Sequence, residues 1–306
     1  MKKKKRFSFR LMIQLAFTAL SNGYAAGFLK GKIYQGAGKQ LCLPGLNCYS
    51  CPGALGSCPI GSLQAVIADR NHQFSFYVVG FLLIVGALVG RLVCGFLCPF
   101  GLVQDLLHKI PLPKKLKIRK LPGERILSYL KYAILLIFVL ILPAFAVNII
   151  GQGDPWFCKY ICPSGTLMGG VPLVMLGDGF RAAAGALFDW KVLLLIFFLV
   201  LSVMYYRPFC RFICPLGAIY GLANPISLYR YQILEEKCVH CGACKKACKL
   251  GIDPVKTPNS PECIRCGECV KACPHQAILP GIKLKKQASS CKGNCASCAG
   301  CKEKTP

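Results

Sequence analysis

The residues of this sequence that could do chemistry are its cysteines, which number 22 among 306 residues and stand in close groups. The segments RLVCGFLCPFG (91–101) and RPFCRFICPLG (207–217) each place an Arg three residues before a Cys, a second Cys four residues later, then Pro and Gly. A third copy without the Arg, WFCKYICPSG, covers 156–165. Neighbouring cysteines of this kind are strained as disulfide partners, whereas thiolates ligate iron–sulfur clusters, so the grouping favours cluster ligation over a disulfide scaffold.

The C-terminal third contains the cysteine spacing of bacterial dicluster ferredoxins twice, in CVHCGACKKAC (238–248) and CIRCGECVKACP (263–274). In that pattern the fourth cysteine of each run ligates the other cluster. We therefore expect two [4Fe-4S] clusters, one held by Cys238, Cys241, Cys244 and Cys273, the other by Cys263, Cys266, Cys269 and Cys248. The alternative, a zinc ribbon, requires two C-x2-C knuckles far apart rather than three closely spaced thiols.

The chain is 54% hydrophobic with a mean hydropathy of +0.49, which indicates a membrane protein. Four apolar spans each approach the roughly 20 residues that cross a bilayer, namely Leu11–Leu29, Phe74–Val93, Ile126–Val147 and Leu187–Tyr206. The first span follows a basic start, and we expect a retained helix rather than a cleaved signal peptide. The sequence thus predicts an all-α bundle of four transmembrane helices in two duplicated hairpins, followed by a small α+β dicluster ferredoxin domain.

Basic residues outnumber acidic ones by 38 to 12, and their placement predicts the orientation of the spans. They crowd residues 2–10 and 109–125, whereas the connection between the third and fourth spans holds only Lys159 and Arg181. By the positive-inside rule the N-terminus and the ferredoxin domain are cytoplasmic, in a multi-pass protein of a prokaryotic inner membrane. No aromatic–basic nucleic-acid signature is present, so the partners expected are membrane lipid and a redox protein, not nucleic acid.

Two of the cysteine pairs follow spans that run in the same direction, so all four thiols emerge together on the cytoplasmic side. We expect Cys94, Cys98, Cys210 and Cys214 to hold one [4Fe-4S] cluster. Each Cys-x3-Cys pair would occupy one face of a helical turn, and the following Pro would direct the chain away. Arg91 and Arg207 have two interpretations: they tune the cluster by hydrogen bonding and charge, or they are interfacial anchors.

The third cysteine pair lies on the other side, where it needs partners. The stretch CLPGLNCYSCPGALGSCPIG (42–61) after the first span ends in the same CPxG pattern. We expect an outer-face cluster on Cys58, Cys158 and Cys162, with Cys51 as fourth ligand and Cys48 as its alternative. The surplus thiols, Cys42 among them, would form a disulfide or help to bind a second centre.

The composition predicts three parts: a membrane domain (1–232), a ferredoxin domain (233–283) and a Cys-rich tail (284–306). The tail cysteines, Cys291, Cys295, Cys298 and Cys301, have the ferredoxin spacing in reverse order. Two interpretations remain: they bind a further cluster or metal ion, or the tail is a flexible thiol-rich appendage.

Few residues suit acid–base chemistry, and no catalytic residue is predicted. Asp105 and His108 stand three apart on an amphipathic stretch, where we expect a solvated interfacial face, with proton exchange to a quinone as the alternative. His240 and His275 adjoin ferredoxin cysteines and are expected to tune those clusters. The Gly-rich segment 165–180 would line any quinone pocket.

Over residues 74–282 these motifs resemble polytopic 4Fe-4S membrane proteins typified by the quinol-dehydrogenase subunit of periplasmic nitrate reductase, and the iron–sulfur half of the nitrous-oxide-reductase regulator. The resemblance implies four membrane helices, cytoplasmic ferredoxin clusters and electron exchange with quinol or a redox partner. The third CxxxCP pair, the stretch 42–58 and the tail depart from that pattern, and they argue against a nitrate-specific role.

The sequence therefore predicts a membrane-integral electron-transfer protein with about four [4Fe-4S] clusters. Electrons would pass between the ferredoxin domain and the membrane clusters, across the membrane, to or from a ferredoxin, flavoprotein or reductase. Two alternatives remain, a quinol dehydrogenase feeding a reductase and a redox-sensing or metal-handling membrane protein.

Overall fold

The computed structural model describes residues 9–69, 76–113, 116–118, 121–146 and 153–282, and these are mostly helical. The helices are α1 (Phe9–Ser21), α2 (Ala25–Lys30), α3 (Pro59–Ala68), α4 (Phe76–Val89), α5 (Leu92–Phe96), α6 (Pro99–His108), α7 (Glu124–Phe145), α8 (Pro163–Leu176), α9 (Asp178–Ala182), α10 (Ala186–Met204), α11 (Pro208–Phe212), α12 (Pro215–Ala223), α13 (Ala243–Ala247) and α14 (Glu268–Ala272). Short 3₁₀ turns cover Ala37–Gln40 and Glu235–Lys237, and Phe157–Ile161 forms a π turn.

Two described helices are long and apolar enough to cross a membrane, α7 and α10, and they match the predicted third and fourth spans. In their most apolar windows only 22% and 17% of the residues are buried. Large apolar side chains such as Phe145 (80% exposed) and Leu193 (60% exposed) therefore point outward. The core helix of a soluble protein would bury such residues, so this outward apolar face is what a lipid-facing helix presents.

The first two predicted spans are shorter in the structure than in the sequence interpretation. The first is not one helix, because α1 ends at Ser21, where the Asn22 side chain donates to the carbonyl of Thr18. The second ends at Val89, because Gly90 takes a left-handed φ of +52° against the side chain of Asn224. At 1.5 Å per residue α1 and α4 are about 20 Å long. A hydrocarbon core is about 30 Å thick, so neither described helix spans it alone.

The cysteine-bearing pairs α5–α6 and α11–α12 form the centre of the helical part. They follow α4 and α10, respectively, and their four cysteines lie in one buried core. Helix α10 packs along α6, α1 packs on α5 and α6, and α12 packs on α4 and α7. The duplicated hairpins thus meet through their short cysteine-bearing helices.

The C-terminal part contains a small two-stranded sheet. Strand β1 (Tyr229–Ile233) pairs antiparallel with β2 (Ile278–Ile282), with Ile233 opposite Ile278. Helices α13 and α14 pack on each other between the strands, around a core that includes Tyr231 and Ile278. The two strands and two helices form a small unit that contains both C-terminal cysteine runs.

The sheet unit docks onto the helical part through the residues around its second cysteine run. Arg265, 2% exposed, donates to the carbonyl of Val89 at 2.8 Å and to that of Asn224 at 2.8 Å. The carbonyl of Ile264 lies where a Cβ on Gly95 would be. The second ferredoxin run is therefore in backbone contact with the turn that carries Cys94.

Replacing Gly95 by Ala should weaken this docking, because the new methyl group would overlap the Ile264 carbonyl. We expect a loss of about 1–3 kcal/mol in unfolding free energy, as for other overpacked sites, and faster proteolytic release of the sheet unit. Thermal unfolding and limited proteolysis measure both. Gly80→Ala is the matched control, since its Cβ would meet nothing within 4 Å. Equal behaviour of the two variants would contradict the contact.

Candidate functional site

Four cysteines occupy the same local position, the N-cap of a helix that begins with Pro. They are Cys58 before α3, Cys98 before α6, Cys162 before α8 and Cys214 before α12. Proline suits the first helical position because its φ is preset and its missing N–H would be unpaired there anyway. The Pro of each CPxG motif therefore starts a helix. The expectation that it merely directs the chain away is corrected.

Two of these N-cap sulfurs accept a hydrogen bond from the helix that they begin. The Gly101 N–H donates to Cys98 Sγ at 3.4 Å, and the Gly165 N–H donates to Cys162 Sγ at 3.4 Å. Cys58 and Cys214 occupy the same position without a side-chain cap hydrogen bond. A helix N-terminus favours a negatively charged group, so each of these thiols is placed where a thiolate is stabilised.

The four thiols after α4 and α10 are brought together inside the protein. Cys94, Cys98, Cys210 and Cys214 are each 4–6% exposed and share one core. Burial raises the pKa of the Cys210 thiol to about 11, and the nearby Cys98 raises it further. Cluster binding must displace such protons. Four thiols are the donor set that a [4Fe-4S] cluster takes, so the chemistry of these buried residues, the inner set, fits the group.

Arg91 and Arg207 connect the two halves of the inner set in a reciprocal way. Arg91 donates to the carbonyl of Cys210 at 3.1 Å, and Arg207 donates to the carbonyl of Cys94 at 2.5 Å. Both side chains are 1% exposed, so the interpretation as interfacial anchors is wrong. A Cβ on Gly101 would meet Arg207, and one on Gly217 would meet Arg91, which explains the glycine of these two CPxG motifs.

Each buried arginine has an acidic partner from a different part of the chain. Arg91 pairs with Glu262 at 3.0 Å, and Glu262 also pairs with Lys131. Arg207 pairs with Asp105 at 2.5 Å, and Asp105 also pairs with Arg10 on α1. Burial alone would raise the Asp105 pKa, but Arg207 and Arg10 hold it well below its usual range.

Asp105 is therefore not part of a solvated interfacial face, and that prediction is wrong. It is 8% exposed and accepts hydrogen bonds from Arg207, Arg10 and Gln14. Its neighbour His108 lines a cavity of about 340 Å³ together with Arg10, Tyr206 and Lys249. Burial, with Lys117 and Lys249, lowers the His108 pKa, and among the described residues its Nδ1 has no hydrogen-bond partner.

A second group of thiols, the outer set, lines a cavity of about 860 Å³: Cys48, Cys58, Cys158 and Cys162. Burial raises the pKa of Cys58 and of Cys162 to about 12. Cys51 does not line the cavity, because its Sγ points to the Asn22 side chain, so the placement favours Cys48 over Cys51 as the fourth thiol. Cys42 lies beside Ser57 in a β-bridge and also does not line the cavity. Gly165 and Gly170 of the Gly-rich segment line it too.

The eight ferredoxin cysteines line two separate cavities in the crossed arrangement that the spacing predicts. One is lined by Cys238, Cys241, Cys244 and Cys273, with His240 and His275 beside them. The other is lined by Cys263, Cys266, Cys269 and Cys248. The tail cysteines Cys291, Cys295, Cys298 and Cys301 lie outside the described residues. Within the described ranges no three His, Cys, Asp or Glu side chains converge on a single metal ion.

The inner and outer sets are close neighbours. Gly45 packs against the backbone of Leu97 and Cys98, while the adjacent Leu46 lines the outer cavity. Tyr220 is fully buried and donates to the carbonyl of Pro44 at 3.2 Å. Burial is the main cause that raises its pKa, and nearby thiols of both sets raise it further. Helix α1, about 20 Å long, reaches from Gly95 to Asn47. The surroundings of the two sets thus lie at opposite ends of α1.

Sequence reasoning missed two buried glutamines at these sites. Gln64 donates to Cys158 Sγ at 3.3 Å, and Gln104 donates to Cys210 Sγ at 3.0 Å. Each stands six residues after the capping Cys of its CPxG motif, a shared offset that could have identified them.

Comparison with known families agrees with this geometry. A 4Fe-4S binding domain family matches residues 71–119, 132–173 and 190–228, and each segment contains one CxxxCP pair. A second 4Fe-4S binding domain family matches residues 258–279, which contain the second ferredoxin run. The chain is thus an iron–sulfur protein, related to ferredoxin-type electron transport proteins, and the resemblance seen in the sequence is confirmed.

Three relatives illustrate the relationship. Uncharacterized protein MJ0749 of Methanocaldococcus jannaschii is 30% identical over 56% of this chain and 56% of its own. The methylamine utilization ferredoxin-type protein MauN of Methylorubrum extorquens is 32% identical over 64% and 58%. The ferredoxin-type protein NapH of Haemophilus influenzae is 30% identical over 60% and 56%. The chain thus spans little more than half the length of these relatives. No solved structure matches it.

Asp105→Asn should destabilise the inner set, because it leaves Arg207 buried without a charged partner. We expect a loss of about 3–5 kcal/mol in unfolding free energy, the range for one lost member of a buried pair. The Asp105–Arg207 pair contributes fully to the unfolding free energy above the Asp pKa of the unfolded chain, about 3.9. This contribution is lost as the pH falls toward the lower Asp105 pKa of the folded protein. Unfolding followed against pH measures both effects.

Glu268→Gln is the control, since Glu268 and Lys271 form an exposed pair at 3.8 Å and should contribute almost nothing. An Asp105→Asn variant as stable as Glu268→Gln would show that the arginine does not depend on this carboxylate.

Proposed function

We propose that this chain is a membrane-integral electron-transfer protein whose thiol sets hold four [4Fe-4S] clusters in series. The observation that carries the proposal is the succession of contacts that links the outer set, the inner set and the second ferredoxin run. Tyr220 and Leu46 lie between the outer and inner sets. Gly95, beside Cys94, touches Ile264, which lies between Cys263 and Cys266. A bound cluster supplies a one-electron carrier, and the protein supplies its spacing and surroundings.

The placement of the thiols in the helices supports a path toward the outer side. Both inner-set pairs follow helices that end on the side where the ferredoxin unit docks, and the outer set lies toward the other end of α1. The outer cavity reaches the surface at Tyr49, which is 52% exposed. A redox partner on that side could therefore exchange electrons with the outer set, while a cytoplasmic partner approaches the ferredoxin unit.

The membrane placement is part of the proposal. We propose four membrane-embedded apolar segments in residues 1–232, of which α7 and α10 are long enough to span as single helices. A cytoplasmic ferredoxin domain in 233–283 and the tail in 284–306 would follow, in a prokaryotic inner membrane. Basic residues at the N-terminus and between the second and third spans support this orientation. The exposed apolar faces of α7 and α10 support contact with lipid.

A quinol dehydrogenase is the second candidate, and the 340 Å³ cavity beside the inner set favours it. Its lining offers an imidazole, His108, whose Nδ1 is unpaired among the described residues, next to Tyr206 and the ion-paired Asp105. Such a group could take a proton from a quinol at the membrane interface. Quinol-dependent reduction of the clusters in the purified protein would favour this candidate over a pure electron carrier.

Cys94→Ala and Cys210→Ala should remove the same EPR signal, because both thiols belong to the inner set. The unmodified protein should contain about sixteen iron atoms in four clusters, and about twenty if the tail binds one more. Iron analysis and EPR after anaerobic purification measure this. A content near eight iron atoms, or the loss of two different signals, would remove the helical clusters from the proposal.

Cys158→Ala should abolish electron passage across the membrane and leave the ferredoxin signals intact, because it removes one thiol of the outer set alone. The measurement is reduction of the ferredoxin clusters by dithionite in sealed, oriented vesicles that hold an impermeant acceptor on the opposite side. Cys42→Ala is the control, since Cys42 does not line the outer cavity. Unchanged passage in Cys158→Ala would return the protein to the quinol-dehydrogenase or regulatory class.

A further inference from the structure

Two buried amides make the same contact at two different thiol sets. Gln64, on α3, reaches Cys158 of the outer set, and Gln104, on α6, reaches Cys210 of the inner set. Both glutamines are 0% exposed. Each comes from the first hairpin and donates to the first cysteine of a CxxxCP pair in the second hairpin. The contact is thus repeated with the duplication rather than being a single chance approach.

The orientation of each amide is fixed by its second hydrogen bond. The Gln64 Nε2 also donates to the carbonyl of Ile60 at 3.2 Å, and the Gln104 Nε2 donates to that of Phe100 at 3.5 Å. In addition, Gln64 Oε1 accepts the Phe157 N–H at 3.0 Å. If either amide were reversed, its oxygen would face both a carbonyl oxygen and a sulfur. The nitrogen must therefore point to the sulfur.

The hydrogen bond from Gln104 to Cys210 comes with an unpaired buried oxygen at the other end of the same amide. Among the described residues Gln104 Oε1 accepts no hydrogen bond, and the side chain is fully buried. An unsatisfied buried acceptor costs about 1–3 kcal/mol. A methionine of similar length would fill the same space without that cost, so packing alone does not account for an amide here.

We infer that Gln64 and Gln104 are positioning residues that set the reduction potentials of the outer and inner clusters by donating an N–H to one ligand sulfur each. A donor stabilises negative charge on the sulfur, and the reduced cluster carries one more electron than the oxidised one. Hydrogen bonds to ligand sulfurs therefore favour reduction. The inference rests on the proposed function, because it needs clusters at these thiols.

The test uses variants that keep the volume and remove the donor. Gln64→Met should shift the potential of the outer cluster to a more negative value and leave the inner cluster unchanged. Gln104→Met should do the reverse. Redox titration followed by EPR measures each potential, and iron analysis of the same samples measures loading. Met168→Leu is the matched control, because Met168 stands at the same offset from Cys162 in α8, and it should shift neither potential.

A second pair of variants separates hydrogen bonding from packing. In Gln64→Glu and Gln104→Glu the protonated carboxyl can donate to the sulfur, whereas the carboxylate cannot and adds a negative charge. The potential of the affected cluster should therefore fall as the pH rises, more steeply than in the unmodified protein. A nearby carboxylate lowers the potential by charge alone, so the deciding observation is at low pH. There the protonated carboxyl can donate, and the potential should return to that of the unmodified protein, which a purely structural role would not produce. This observation decides the question if a Met variant loses its cluster.

The possible results distinguish a failure of the proposed function from a failure of the inference about the two glutamines. Unmodified protein that lacks clusters at the inner and outer thiols would overturn the proposed function. Full loading with unchanged potentials in the Met variants, or with no return to the unmodified potential at low pH in the Glu variants, would overturn the inference alone. Equal shifts of both clusters in either single Met variant would also contradict it.

Discussion

The structure depends on the burial of two arginines between the duplicated halves. Arg91 and Arg207 are almost inaccessible to water, and each donates to the backbone of the first inner-set cysteine of the other half. A buried guanidinium is costly unless a carboxylate and further acceptors surround it. The fold supplies these from distant parts of the chain, Glu262 for Arg91 and Asp105 for Arg207. Glu262 thereby attaches the second ferredoxin run to the inner set, and Asp105 attaches helix α1 through its further pair with Arg10.

This requirement explains why the second ferredoxin run lies against the helical part. Glu262 immediately precedes Cys263, so pairing it with Arg91 places the run beside Cys94. Arg265 then donates to the carbonyl of Val89. Both contacts are buried, and burial keeps their electrostatic interactions from being screened by solvent. The order of the thiol sets is thus a consequence of how the arginine charges are satisfied.

The cysteine groups can be predicted from the sequence because their spacing is local information, and their cluster ligation stays a prediction. In the structure the two ferredoxin sets line separate cavities, and Cys94, Cys98, Cys210 and Cys214 lie in one buried core. The α7 and α10 spans were also correct, since long apolar runs need no partner to be recognised. The break after Ser21 and the end of α4 at Val89 were missed. They depend on Asn22 and on Asn224, whose effects arise from a side-chain cap and a tertiary contact.

The sequence predicts a solvated Asp105 because its own helix is amphipathic. Its three hydrogen-bond partners come from distant parts of the chain, Arg10 and Gln14 on α1 and Arg207. The choice of Cys48 over Cys51 likewise depends on where Asn22 holds the Cys51 side chain. Periodicity identifies the face of a helix, but it does not identify the groups that a distant segment brings to that face.

The duplication repeated the start of each cysteine-capped helix, but it did not repeat what lies six residues further on. That offset holds Gln64, Gln104, Met168 and Tyr220 in the four copies. The two glutamines of the first hairpin reach thiols of the second, while Tyr220 reaches the chain between the inner and outer sets. A common scaffold thus fixes the thiols, and this one position gives each set a different environment. Since the surroundings of a cluster set its potential, two sets built from equivalent motifs need not be energetically equivalent.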